Sequence, residues 1–201
     1  MALDDSTLVI PGVGYVFTAP TGTARPTDPS APDAAWTDLG HSSEDGLTVT
    51  FEIEKTVRRT WRSRAGVRES IDEITFTLGW TALQVDNEAL SAYFGGGDVA
   101  AEGVFGVLKS PGALEKALFI RLVDGAAEVD FYAAKASLGP GGEATASPED
   151  FTGFPLQATV LDHASAAHLA EWLAPHLGTP APPPPPPPAG AAVNRKDMTR
   201  G

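Results

Sequence analysis

Two long alternating segments constrain this chain more than anything else in it. Residues 47–57, LTVTFEIEKTV, set Leu47, Val49, Phe51 and Ile53 on one side and Thr48, Thr50, Glu52 and Glu54 on the other. Residues 71–80 repeat the pattern, with Ile74, Phe76, Leu78 and Trp80 against Thr75, Thr77 and Gly79. A period of two marks a β-strand with one apolar and one polar face. At roughly 3.3 Å per residue the first strand is more than about 30 Å long, well beyond the usual length. Between the two lies a basic stretch, 58–70, with no clean period and a glycine at Gly66. It reads as a long hairpin loop across which the strands pair.

The remaining segments fit around this hairpin. Residues 8–19 read as a β-segment broken by Pro11-Gly12, followed by a long Pro/Thr/Asp/Ala loop at 20–35 and a short strand from Trp36 to Leu39. Trp36 and Leu39 are expected to anchor a corner. Gly40 and Asp45-Gly46 then turn the chain into the long strand, leaving the Ser/Glu cluster between them exposed. QVDNEALSAYFGGG reads as a short helix. Asp86 or Asn87 caps it, Leu90, Tyr93 and Phe94 fall at helical spacing, and glycines 95–97 stop it. KALFIRLVDGAAEVDFYAAKA reads as a β-hairpin around an Asp124-Gly125 loop suited to a type I′ turn, and 154–161 as a last strand. Residues 162–178 predict a C-terminal helix with Leu169, Trp172 and Leu173 on one stripe and Gly178 at its end.

The expected class is therefore mainly β, a β-sandwich or barrel-like fold with a short flanking α-helix and a C-terminal helix. One domain spans 1–178, with long loops at 20–35 and 58–70. From 179 to 201 the apolar periodicity ends. Seven consecutive prolines impose a polyproline II spacer of about 22 Å, and the last residues read as a disordered tail.

Composition excludes several functions. Without cysteine there are no disulfides, thiolate metal sites or cysteine nucleophile. The amino terminus has no basic region of the kind that opens a signal peptide, and no apolar run reaches the roughly 18 residues of a membrane span. A soluble chain that starts in the cytoplasm, without membrane insertion, is expected. The net charge of −12 argues against wrapping nucleic acid. The basic residues are nevertheless concentrated: Lys55, Arg58, Arg59, Arg62, Arg64 and Arg68 fall within 14 residues, with Trp61 among them. A solvated loop, a DNA contact with Trp61 as stacking platform, and a docking loop for an acidic surface on another copy are all open at this point.

No catalytic motif emerges. His163 and His168 are five apart and miss the i, i+4 spacing of zinc ligands. Asp162, His163 and Ser165 are close in sequence, which does not make a triad. YFGGGDVAAEG lacks the Lys-Ser/Thr of a phosphate loop. Asp72-Glu73 and Glu149-Asp150 would face opposite ways on a strand. The Glu44-Asp45 turn lacks the ligand count for calcium. Neither an enzyme nor a cofactor is expected.

The order of short motifs resembles the major tail protein, or tail tube protein, of long-tailed, non-contractile bacteriophages. The matching pieces are GVGYVFTAPTGT, WTDLGHSSEDGLTVTFE, ITFTLGWTAL leading to YFGGG, KALFIRLVDG, FYAAKASL and FPLQATVL, over about 9–161. The resemblance implies subunits that form hexameric rings stacked into a tube, with the long strands joined in one barrel around a lumen that conducts double-stranded DNA without specific binding. It implies tape measure, tail terminator and distal tail proteins as further partners, and a place in the virion tail after assembly in the host cytoplasm. On this basis Thr48, Thr50, Glu52, Glu54, Thr75 and Thr77 are expected to face the lumen. Arg58, Arg59, Trp61, Arg62, Arg64 and Arg68, with Glu44 and Asp45, are expected at contacts between subunits or rings. The alternatives are a capsid decoration or adhesion protein, or the tube subunit of a phage-derived particle or contractile device.

Overall fold

The computed structural model describes residues 8–125, 127–175 and 177. The proline tract and the tail that follows it lie outside the described residues. The chain opens with β1 (Val13–Pro20) and the short β2 (Thr37–Asp38), separated by the Pro-rich loop. The long hairpin follows as β3 (Thr48–Thr60) and β4 (Ser63–Ala82). Next come α1 (Asn87–Phe94) and a small hairpin of β5 (Gly97–Ala101) and β6 (Val104–Val107). A second main hairpin is made by β7 (Leu114–Asp124) and β8 (Ala127–Pro140). The strands β9 (Thr145–Ser147), β10 (Asp150–Val160) and β11 (Glu171–Leu173) complete the described chain.

One antiparallel sheet runs in the order β2-β1-β7-β8-β10-β4-β3, with β9 added to β10 and β11 to β8. Its inner face closes around a single core. Val16, Leu78, Trp80, Leu118, Ile120, Phe131, Leu138 and Leu156, from five strands, pack together with Ala89 and Ala92 of α1. A second cluster covers the outer face: Ala19, Trp36, Phe119, Tyr132 and Ala134, with Leu173 against them. Successive residues of β7 therefore go to opposite cores, Ala117 and Phe119 outward, Leu118 and Ile120 inward. A strand buried on both sides is an apolar run rather than an alternation, which is why KALFIRLV reads as it does.

The helix forms as its sequence prescribes. Asp86 is the N-cap, accepting from the Ala89 N–H at 2.8 Å, and Gly95 closes the helix in the left-handed region. The buried residues are Ala89 and Ala92, while Leu90, Tyr93 and Phe94 are half-buried.

Three expectations are corrected. First, residues 58–70 are not a loop. β3 and β4 continue to a tight turn at Trp61-Arg62, with Thr60 paired to Ser63. The arginines spoil the apolar period, but backbone pairing needs none. Second, no helix forms over 162–175, and residues 171–173 are the strand β11. β10 pairs with β8 only from Ala136 to Pro140, so the edge of β8 at Asp130–Tyr132 is open and β11 takes it. Backbone hydrogen bonding at that edge overrides helical propensity. Trp172 then packs on Phe131 at 5.1 Å while Leu173 joins the outer cluster, the alternation of a strand. His176 and Gly178, the end of the expected helix, lie outside the described residues. Third, Asp124 pairs with Ala127, so it closes β7 and is not a turn residue. Only Gly125 of the Asp124-Gly125 pair has a positive φ, at 58°, so a type I′ turn is not formed by those two residues.

Candidate functional site

The long hairpin is the feature that needs explaining. The register Val49↔Leu78, Phe51↔Phe76 and Ile53↔Ile74 puts the two apolar stripes of the sequence on one face, since directly opposed residues share a face. From Phe76 onward β4 packs that face into the core, but the half beyond it has no core to meet. Phe51 is 54% exposed, Ile53 39%, Ile71 57% and Ile74 49%, a continuous uncovered apolar stripe. All of β3 is exposed. Four rings, Phe51, Phe76, Phe131 and Trp172, stack edge to face in sequence at 5.5, 5.6 and 5.1 Å, tying the base of the hairpin to the buried core.

Both edges of this ribbon are also open. β3 is the last strand of the sheet. β10 pairs with β4 only from Thr77 to Ala82, so among the described residues Ser63–Phe76 have β3 alone for a partner. A two-stranded ribbon is marginal by itself in water. A long exposed edge is a template for pairing with another chain.

The opposite face gathers all the residues expected in a lumen. Thr50 opposes Thr77, Glu52 opposes Thr75, and Glu54 opposes Glu73, with Thr48 one step along beside Gly79. This face is hydroxyl-rich and anionic. A bulge after Glu54 leaves Asp72 on the same side, where Thr56 and Ser70 donate to its carboxylate. The single ion pair of the ribbon, Lys55–Glu69 at 2.8 Å, sits on the apolar face.

The residues expected at subunit contacts are split between the two ends of the hairpin. Arg58 opposes Arg68 near the tip, Arg59, Arg62 and Arg64 surround the turn, and Trp61 at its apex is fully exposed, at 105%. Like charges placed opposite one another destabilise a lone hairpin. Glu44 and Asp45 lie instead at the base, just before β3, roughly 40 Å from Trp61 at strand rise. There Ser43 Oγ donates to Asp45 at 2.9 Å, and Gly46 makes the turn with φ 79°. Trp36 is buried in the outer cluster and Leu39 in the inner one, its N–H donating to Val16 O at 2.9 Å, so the acidic turn hangs from two anchors.

Beside that turn is a cleft of about 920 Å³ that the sequence reading did not find. Val13, Tyr15, Leu47, Leu122 and Trp172 line it, and Asp38, Glu44 and Asp45 stand at its rim. It exists because β1, the 38–47 segment and β11 meet there, elements far apart in sequence.

A polar group on the outer face was also missed. Arg121 donates to both carboxylate oxygens of Glu128, at 2.8 and 3.0 Å, and lies over the Tyr15 ring at 6.0 Å. That bidentate bond holds Glu128 below its usual range. Asp130 next to it is buried, and burial followed by the Glu128 charge pushes its carboxyl up to about 6. Glu128 and Asp130 are two apart on a strand, which was the available signal.

Among the described residues the histidines form no centre. His163 and Ser165 make an exposed local contact at 2.8 Å. Among the described residues no group of three His, Cys, Asp or Glu is placed to hold a metal ion.

An open-edged antiparallel sheet with a projecting amphipathic ribbon is a surface suited to pairing with further chains. The family model for phage tail tube protein matches residues 1–185, and the chain belongs to that family. It is similar to the major tail protein Gp23 of Mycobacterium phage L5, at 30% identity over 181 residues, covering 81% of this chain and 89% of the relative. The major tail protein Gp23 of Mycobacterium phage D29 matches at 30% over 182 residues with the same coverage. The chain is thus a structural component of a phage tail.

Proposed function

We propose that six copies of this chain close into a ring, that rings stack into a tube, and that DNA passes through the bore. The count of six comes from the family resemblance. The observation that carries the reading is the long hairpin, with an uncovered apolar stripe and two free edges. Edge pairing between β3 of one copy and the outer half of β4 of the next extends one sheet from subunit to subunit. Repeating that step until it closes leaves no edge exposed. The apolar stripe, Phe51, Ile53, Ile71 and Ile74, then lies over neighbouring protein, and the Thr/Glu face turns to the bore.

A bore lined by Thr48, Thr50, Glu52, Glu54, Thr75 and Thr77 suits passage without binding. Hydroxyls stay hydrated and carboxylates repel phosphate over about 8 Å at physiological salt. Six copies carry six times −12, a formal charge of −72 per ring. The tape measure, terminator and distal tail proteins are the further partners expected of such a tube.

The direct test is negative-stain electron microscopy of the purified full chain at rising concentration and salt. Rings with a central hole, or hollow tubes, are expected. A population that stays monomeric alone and in the presence of preformed tail tips would overturn the reading.

A further inference from the structure

The two ends of the hairpin are chemically complementary, and strand rise sets them roughly 40 Å apart. At one end, Trp61 is fully exposed and ringed by arginines, and among the described residues none of Arg58, Arg59, Arg62, Arg64 and Arg68 has an ion-pair partner. At the other end is the 920 Å³ cleft with Asp38, Glu44 and Asp45 at its rim, equally without ion pairs among the described residues. Its volume falls within the roughly 300–1,000 Å³ of pockets that enclose a bulky group, more than an indole needs. Its walls include Val13, Val49 and Trp172, all at least 40% exposed in the single subunit.

We propose that the Trp61 tip of one subunit inserts into the cleft of the copy stacked next along the tube, the indole against Val13, Leu122 and Trp172 and the arginines against Asp38, Glu44 and Asp45. A subunit cannot satisfy its own cleft, because its tip is roughly 40 Å away. Donor and acceptor are different surfaces at opposite ends, so the contact is heterologous and repeats indefinitely, as a growing tube requires. Burying an aromatic anchor within a ring of charge pairs is the form that strong interface positions take. The inference rests on the tube reading above and adds to it the socket, the plug and the direction of stacking.

The absence of cysteine from the sequence makes the test clean. Val13→Cys and Arg62→Cys are combined in the full chain, leaving Trp61 in place, and assembled material is treated with a short bismaleimide. Reaction within one chain is excluded by the separation. A ladder of covalent dimers, trimers and higher multimers is expected from the double variant, with at most dimers from either single variant. Tubes that form normally but give no ladder overturn the plug and leave the tube reading standing. Failure of the unmodified chain to form rings or tubes overturns both. A second variant set guards against a double variant that does not assemble. Arg59→Glu with Arg62→Glu, and separately Glu44→Arg with Asp45→Arg, should each stop growth at single rings. The four changes together should restore tubes to at least a tenth of wild-type yield. Normal tubes from either reversal alone also overturn the proposal.

Discussion

Asp130 is the residue at which burial and function part company. It is buried beside the Arg121–Glu128 pair with one carboxylate oxygen lacking a hydrogen-bond partner among the described residues, and its carboxyl is raised from 3.8 to about 6. The sign is unambiguous. The folded chain holds this proton more tightly than the unfolded one. The contribution is therefore fully present below about 3.8 and is lost as pH rises through about 6. Glu128 acts oppositely, being lowered from 4.5 by Arg121, so its share is lost as pH falls. Asp130→Asn should flatten the melting temperature between pH 4 and 6 and raise it at pH 8. The gap is worth on the order of 3 kcal/mol at most, or several degrees for a chain of this size. Calorimetry across that range checks it; a variant whose pH profile parallels wild type would show that Asp130 is not held neutral.

At the scale of an element, the hairpin inverts the usual relation between apolarity and stability. Ile53 and Ile71 are 39% and 57% exposed, so the isolated subunit gains little from them. The double substitution Ile53→Ser, Ile71→Ser should change subunit stability by less than about 1 kcal/mol, as surface changes usually do. Assembly should nevertheless be lost, because the same side chains are the ones left for a neighbour to cover. Thermal melts paired with sedimentation velocity separate the two effects. A large drop in melting temperature would mean the stripe supports the subunit itself. The Phe51–Phe76–Phe131–Trp172 stack is the mechanical root of the element. It joins an exposed ring to a fully buried one and ends at a wall of the cleft.

For the whole molecule, charge and chain ends decide what can be tested in a virion. Replacing Glu52 and Glu54 by Lys changes each subunit by four charges, twenty-four over the six copies proposed for a ring, on the face proposed to line the bore. Genome ejection from such particles should slow by tenfold or more at low salt and recover as salt rises, since screening weakens the new attraction. Unchanged ejection kinetics would remove these residues from the bore. Deleting 179–201 should leave assembly intact, because the apolar periodicity ends before it. Failure of the truncated chain to form tubes would give the proline tract a structural role.

What the sequence determined by itself was whatever depends on near neighbours along the chain. The alternation at 47–57 and 71–80 dictated two strands with one apolar face each, and the observed register Phe51↔Phe76 is one of those that put the two apolar sets on the same face. The helical spacing of Leu90, Tyr93 and Phe94 with a cap at Asp86 or Asn87 and the stop at Gly95 marked a short helix, and Asp86 is the cap observed. Gathering Thr48, Thr50, Glu52, Glu54, Thr75 and Thr77 on one surface follows from the same period. Tertiary structure decided the rest. The arginines could not reveal that they sit on paired strands, because a backbone ladder leaves no mark in side-chain polarity. The stripe of Leu169, Trp172 and Leu173 suits a helix locally, yet it became β11 because β10 leaves one edge of β8 open, forty residues upstream. The cleft exists only where distant segments meet, while the Arg121–Glu128–Asp130 group lies within one hairpin and is set by its register and burial. Backbone pairing between strands and burial, not local preference, set those features, and both are properties of the assembled sheet.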